Sequence, residues 1–169
     1  MNNTINGHLC IVFALEHYNP LGQIRSFGSM GVNPIYISVK RRYEVATFSK
    51  YISKLHRVDS VEDGYELLMK EYGHFDELHK PYIVFSDDKS VGFFDLHYDE
   101  WKDRFTAFNA GRAGRVNEFM DKYKIQQLAK KHGFNVLDSY VIGKEDPIPQ
   151  GLWYPVITKD ISPNSGNWK

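Results

Sequence analysis

The chain has 169 residues, 42% hydrophobic and 15% aromatic, with 21 basic against 21 acidic side chains and a formal net charge of zero. This apolar content suffices for one full core of roughly 100 to 150 residues with a remainder. The neutral balance, without any block of like charge, argues against nonspecific binding to nucleic acid or a membrane surface. Cys10 is the only cysteine, which excludes an internal disulfide framework, and its apolar surroundings predict a buried, unreactive thiol. The polar start and the lack of any apolar stretch of about 18 residues predict neither a signal peptide nor a membrane-spanning helix, so a cytoplasmic location is expected.

Apolar runs of strand length alternate with helical patterns, the signature of a mostly parallel, doubly wound α/β sheet. Residues 9–15 read as the first strand, ending at Asn19-Pro20-Leu21-Gly22. Leu21, Ile24, Phe27 and Gly28 then recur at helical spacing, with Gly31 as the stop. Residues 33–39 form the second predicted strand, 44–51 a short helix-like stretch, and 55–58 a brief third strand. Ser60 caps a helix whose inner face is Val61, Tyr65, Leu68 and Met69; Glu62 and Asp63 suit its positive end and Gly73 closes it. Residues 82–85 are the fourth strand, entered through Pro81 and left through Ser86-Asp87-Asp88. Over residues 89–105 two short helices are favoured, with a strand at 91–96 as the alternative. Residues 109–114 read as a linker, dividing a first domain, 1–115, from a second unit, 116–169.

In the second unit Asp121 caps a helix in which Lys122, Ile125 and Ala129 share one side, and Gly133 stops it. Residues 136–142 and 154–159 read as strands around a turn at 147–151. Alternation places Lys159 on the face of Ile157, where a lysine calls for an anionic partner. A small-residue loop, Ser162-Pro163-Asn164-Ser165-Gly166, follows at once. Two lysines on separate elements beside such a loop can hold polyphosphate by point charge and by backbone N–H groups. The plainer readings are a snorkelling Lys122 and an edge-strand Lys159.

Other constellations carry less. The seven histidines lack metal-ligand spacing, and Asp87, Asp88, Asp95 and His97 read as caps and solvated surface rather than a metal site. Gly111-Arg112-Ala113-Gly114-Arg115 reads as a flexible connection. No G-x-G-x-x-G follows the first strand and no Walker lysine loop occurs, which argues against a common dinucleotide fold and a P-loop enzyme. In doubly wound sheets ligands collect at the carboxyl ends of strands, here the turns holding Asn19, Gly22, Gln23 and Asp87. Asn19 and Asp87 could equally be helix caps.

Asp121-Lys122, then Leu128-Ala129-Lys130-Lys131-His132-Gly133-Phe134-Asn135-Val136, then Tyr154-Pro155-Val156-Ile157-Thr158-Lys159 resembles the opening of an ATP-grasp domain. The usual pattern there is a DK-initiated helix, LAxxxGIPVP and YPVIxKP. Upstream, Asn19 to Gly28 in sequence and Val84-Phe85-Ser86-Asp87-Asp88 followed by Asp99-Glu100-Trp101 resemble the Rossmann-like pre-ATP-grasp domain of carboxylate–amine ligases of the carbamoyl-phosphate-synthetase and D-aspartate-ligase-like type. The resemblance implies that Lys122 and Lys159 contact the phosphates of ATP and that Ser162, Asn164, Ser165 and Gly166 belong to the loop covering them. It departs from the family at Asp160, where proline is usual, and in a loop with one glycine. It further implies an N-terminal fragment whose partners in the parent are ATP, a small carboxylate and an amine, with Mg2+ ligands beyond Lys169. The fragment alone is not expected to turn over, and its last strand could pair with another copy as a homo-oligomer. The alternative expectation is a noncatalytic, flavodoxin-like α/β module that binds a small ligand or partner.

Overall fold

A short antiparallel pair opens the fold: β1 (Thr4–Ile5) runs against the start of β2 (His8–Leu15), turned by Asn6 and Gly7, both at positive φ. The computed structural model describes residues 2–74 and 78–159. It divides into two compact units, Met1–Val116 and Asn117–Lys169.

The first unit holds the sheet. β2 pairs in parallel with β3 (Ile35–Val39) on one side and with β5 (Tyr82–Phe85) on the other. β4 (Lys54–Val58) extends the sheet beyond β3, and β6 (Thr106–Ala107) extends it beyond β5. The spatial order is therefore β4-β3-β2-β5-β6, with β1 antiparallel at the margin of β2. Strands covered on both faces need apolar residues at every position rather than alternation. β2 meets that demand, with all residues from Leu9 to Ala14 buried.

Alternate residues of these strands serve two cores. Leu9, Ile11, Phe13, Ile35 and Ile37 pack with α2 (Val61–Tyr72), α3 (Asp88–Leu96) and α4 (Tyr98–Trp101). Val12, Ala14 and Tyr36 pack on the other face with Ile24 of α1 (Tyr18–Ser29) and with Ala46, from a 3-10 turn at Ala46–Phe48 in the β3–β4 connection. The first core is rich in aromatics. Phe94 stands 5.0 Å from Phe13, 4.6 Å from Phe85 and 5.2 Å from Tyr65, ring centroid to centroid. Such pairs contribute about 0.5–1.5 kcal/mol each beyond the area they bury. Trp101 is buried too, and its indole N–H donates to the Phe94 carbonyl at 2.7 Å, so the one polar atom of that ring is satisfied.

Local signals set the helix ends. Ser60 Oγ accepts from the Asp63 N–H at 3.0 Å and opens α2, as the sequence predicts. α1 closes with Gly31 at φ +79°, where the Val32 N–H reaches the Phe27 carbonyl and the Gly31 N–H the Gly28 carbonyl. That is the paired closure a left-handed residue allows. Over residues 89–105 the two short helices are the form taken. Cys10 is free and buried, and burial pushes its thiol pKa up, in keeping with an inert side chain.

In the second unit α5 (Arg115–Met120), which begins at the end of the first unit, leads into α6 (Lys122–Lys131). Asp121 caps α6 through the N–H groups of Tyr123 and Lys124 at 2.9 and 3.0 Å, and Gly133 closes it with the same paired bonds seen after α1. The strands expected at 136–142 and 154–159 do not form. Both segments are irregular and largely exposed. A strand exists only where a neighbour takes its N–H and C=O groups, and no ladder among the described residues includes these. No helix among the described residues is long and apolar enough to cross a membrane.

Candidate functional site

The sheet order turns back on itself between β2 and β5: from β2 the chain moves out to β3 and β4, then returns to β5 on the other flank. The following helices, α1 and α3, therefore leave to opposite faces and part at the carboxyl ends of these two strands, the usual place for a ligand crevice. Both helices present their N-terminal ends there, where free N–H groups and the helix dipole favour a negative group.

Asp87 is the main strut of this crevice. One carboxylate oxygen accepts from the Ser90 N–H at 2.8 Å, and the other from the Leu15 N–H at 2.8 Å and the Ser90 hydroxyl at 2.9 Å. It thus caps α3 and ties the ends of β2 and β5 together. Gln23 reaches across from α1, its Nε2 donating to the Phe85 carbonyl at 2.8 Å. Its Oε1, and the Oγ of neighbouring Ser86, are buried without a partner. Leaving such atoms unpaired costs about 1–3 kcal/mol each, so this corner favours a guest with polar groups.

Asn19 and Gly22 stand differently. The cap of α1 is His17, whose Nδ1 accepts the Asn19 N–H at 3.2 Å, so Asn19 lies in the first turn rather than at the cap. Gly22 is exposed on α1 with open space where a Cβ would be. Gln23 and Asp87 are thus brought together at the switch point, with Asn19 and Gly22 on the helix beside them.

Beside the crevice sits a group that sequence reasoning missed. Glu16, one residue past β2, is buried, and its carboxylate accepts from the Tyr36 hydroxyl at 2.5 Å and the Ser38 hydroxyl at 3.0 Å. Its other oxygen accepts from the N–H groups of Val45, Ala46 and Thr47 at 2.5, 2.5 and 3.2 Å, which open the 3-10 turn. Burial alone would raise the Glu16 pKa, but these hydrogen bonds outweigh it and hold it below the ordinary value. Burial and the neighbouring Glu16 push the Tyr36 phenol far up, so it stays a donor. The one available signal was an acid directly after an apolar strand.

The expected phosphate-binding residues lie in the second unit. Lys122 is the first residue of α6 and is exposed. Lys159 is exposed on an irregular segment, not on a strand face beside Ile157 as the alternation suggested. Ser162, Asn164, Ser165 and Gly166 lie outside the described residues. Among the described residues no group of three or more His, Cys, Asp or Glu side chains could hold a metal ion. Asp95, read from sequence as solvated surface, is instead buried and accepts the Val116 N–H at 3.1 Å, while Asp87 is the α3 cap. No family model matches the chain, and no curated protein matches it.

Proposed function

We propose that this chain is the N-terminal part of an ATP-grasp carboxylate–amine ligase, with a pre-ATP-grasp domain followed by the opening of the ATP-grasp domain. The observation that carries the reading is the order of its motifs: a parallel sheet, then the Asp121-Lys122 helix start, Leu128-Ala129 to Gly133, and Tyr154 to Lys159. In this reading Lys122 and Lys159 neutralise the phosphates of bound ATP. The terminal phosphoryl group passes to a carboxylate oxygen as its bond to the ADP oxygen breaks. The amine nitrogen then attacks the acyl carbon and inorganic phosphate leaves, joining carboxylate and amine. The corner formed by Gln23, Ser86 and the first turn of α1 receives one of the two organic substrates. Mg2+ would be held by residues beyond Lys169.

The test is ADP release by the full-length polypeptide that carries this chain, screened across carboxylate and amine pairs. Lys159→Ala is expected to lower turnover on the order of a hundredfold, the scale of losing one charge-stabilising donor. Lys124→Ala, on another side of α6, should have little effect. Equal losses in both, or no ADP release with any pair, would overturn the reading. A noncatalytic ligand-binding α/β module is the second reading, favoured by one observation: Lys159 stands on a segment that no strand fixes.

A further inference from the structure

We infer that a cavity at the amino edge of the sheet, remote from the crevice, is a binding site for a small zwitterion of the α-amino acid type. The cavity, about 560 Å3 and open to solvent, lies where β2, β3 and β4 begin and α2 ends. That volume falls within the roughly 300–1,000 Å3 of small-molecule sites, which combine an apolar lining with a few polar groups. Leu9, Ile35 and Tyr72, all buried, supply the apolar lining, and Ser53, Lys54 and Glu71 supply the polar part. Asn3 closes one side and is held in place, because its carbonyl accepts the Cys10 N–H at 2.9 Å.

Its charges decide which guest fits. The Lys54 ammonium stands 5.5 Å from the centre of the Tyr72 ring. Among the described residues neither Lys54 nor Glu71 forms an ion pair. Next to this ring lies His56, whose Nε2 is 2.7 Å from the Tyr72 hydroxyl. Lys54 and Glu71 both line the cavity; burial first and then Lys54 lower the His56 pKa, while Glu71 opposes them. The carboxyl end of α2, adjoining Glu71, adds the negative end of a helix dipole.

A phosphate dianion here would meet Glu71 and that helix end, and a diamine would meet Lys54. A molecule carrying one ammonium and one carboxylate is the guest whose charges both find partners. Its side chain would rest on Leu9, Ile35 and Tyr72. Ser53 stands in the wall with its Oγ buried and unpaired, a hydroxyl left for such a guest to satisfy.

The experiment is an amide chemical-shift titration of the full chain with free leucine and free phenylalanine, each compared with its N-acetyl and carboxamide derivative, without ATP. Saturable shifts at Leu9, Ile35, Ser53 and Tyr72 are expected, weakening about tenfold or more, roughly 1.4 kcal/mol, when either end is blocked. Lys54→Met and Glu71→Gln should each cause a loss of that size, and both residues are exposed, so neither change should disturb folding. Lys40→Met, at the opposite edge, should change nothing. No saturable shift at these amides, equal binding of the blocked derivatives, unchanged binding in both variants, or preferential binding of inorganic phosphate would each overturn the assignment.

Discussion

A carboxylate withdrawn from water is stable only if donors occupy its lone pairs, and Glu16 has donors on both oxygens. Removing the side chain strands two buried hydroxyls and the N–H groups of Val45, Ala46 and Thr47, the last two buried. Glu16→Ala is therefore expected to destabilise the fold by about 3 kcal/mol or more in denaturant unfolding, at the upper end of single-residue effects. The sign of the pH dependence follows from its lowered folded pKa. The stabilisation is fully present above the unfolded carboxylate value of about 4.3 and is lost as pH falls through that value toward the folded pKa. The wild-type protein should therefore lose stability relative to Glu16→Gln on acidification below about pH 4.3, and parallel pH curves for the two would show that the carboxylate charge is not what the turn requires. This latch was illegible in the sequence for a physical reason. Its donors lie 20 to 31 residues from Glu16, and nothing local announces them.

Helices carry their own punctuation and strands do not, and that difference decides which elements could be read in advance. Ser60, Asp121, Gly31 and Gly133 all act at the helix ends where the sequence places them. The central strands were legible because β2 and β3 are apolar at nearly every position, as burial on both faces requires. Two-residue partners such as β1 and β6 have no periodicity to find. Residues 136–142 and 154–159 have strand composition without a ladder, and composition cannot supply the partner. Gln23 and Asp87 were proposed from the general placement of ligands at strand ends, whereas the pairing of Asp87 with Leu15 needed the folded register. Two glycines on helices at opposite faces of the sheet test the helix packing. A Cβ at Gly64 of α2 would come within 2.8 Å of the Phe13 ring and 3.2 Å of Val58, whereas at Gly22 of α1 it meets nothing. Gly64→Ala should destabilise by about 1–3 kcal/mol through overpacking. Gly22→Ala should stabilise by about 0.5–1 kcal/mol, since a helix interior loses the entropic penalty of glycine. Equal midpoints for both variants in urea would mean that α2 does not press on the sheet as described.

At the scale of the whole chain, the strand ladders of the described residues all lie in the first unit. Hydrogen exchange should be slowest in Ile11 to Phe13, whose strand is paired on both sides, and fastest across residues 136–159, where no ladder protects the amides. Strong protection in 136–159 would reveal a sheet that the fold described here lacks. The same contrast sets an expectation for nucleotide binding. Lys122 and Lys159 are exposed, and exposed charge pairs contribute about 0.2–1 kcal/mol each. Two such contacts give about 2 kcal/mol at most, against the roughly 7 kcal/mol that a dissociation constant of about 10 µM represents. A site on fixed strands loses less in ordering its lysines than one on an irregular segment. The chain by itself should therefore bind ATP more weakly than about 10 µM by calorimetry, with or without magnesium. Tighter binding that Lys159→Ala abolishes would show that this segment already forms a phosphate site within these 169 residues. Tighter binding untouched by Lys122→Ala and Lys159→Ala would place the nucleotide elsewhere and remove the basis for assigning either lysine to it.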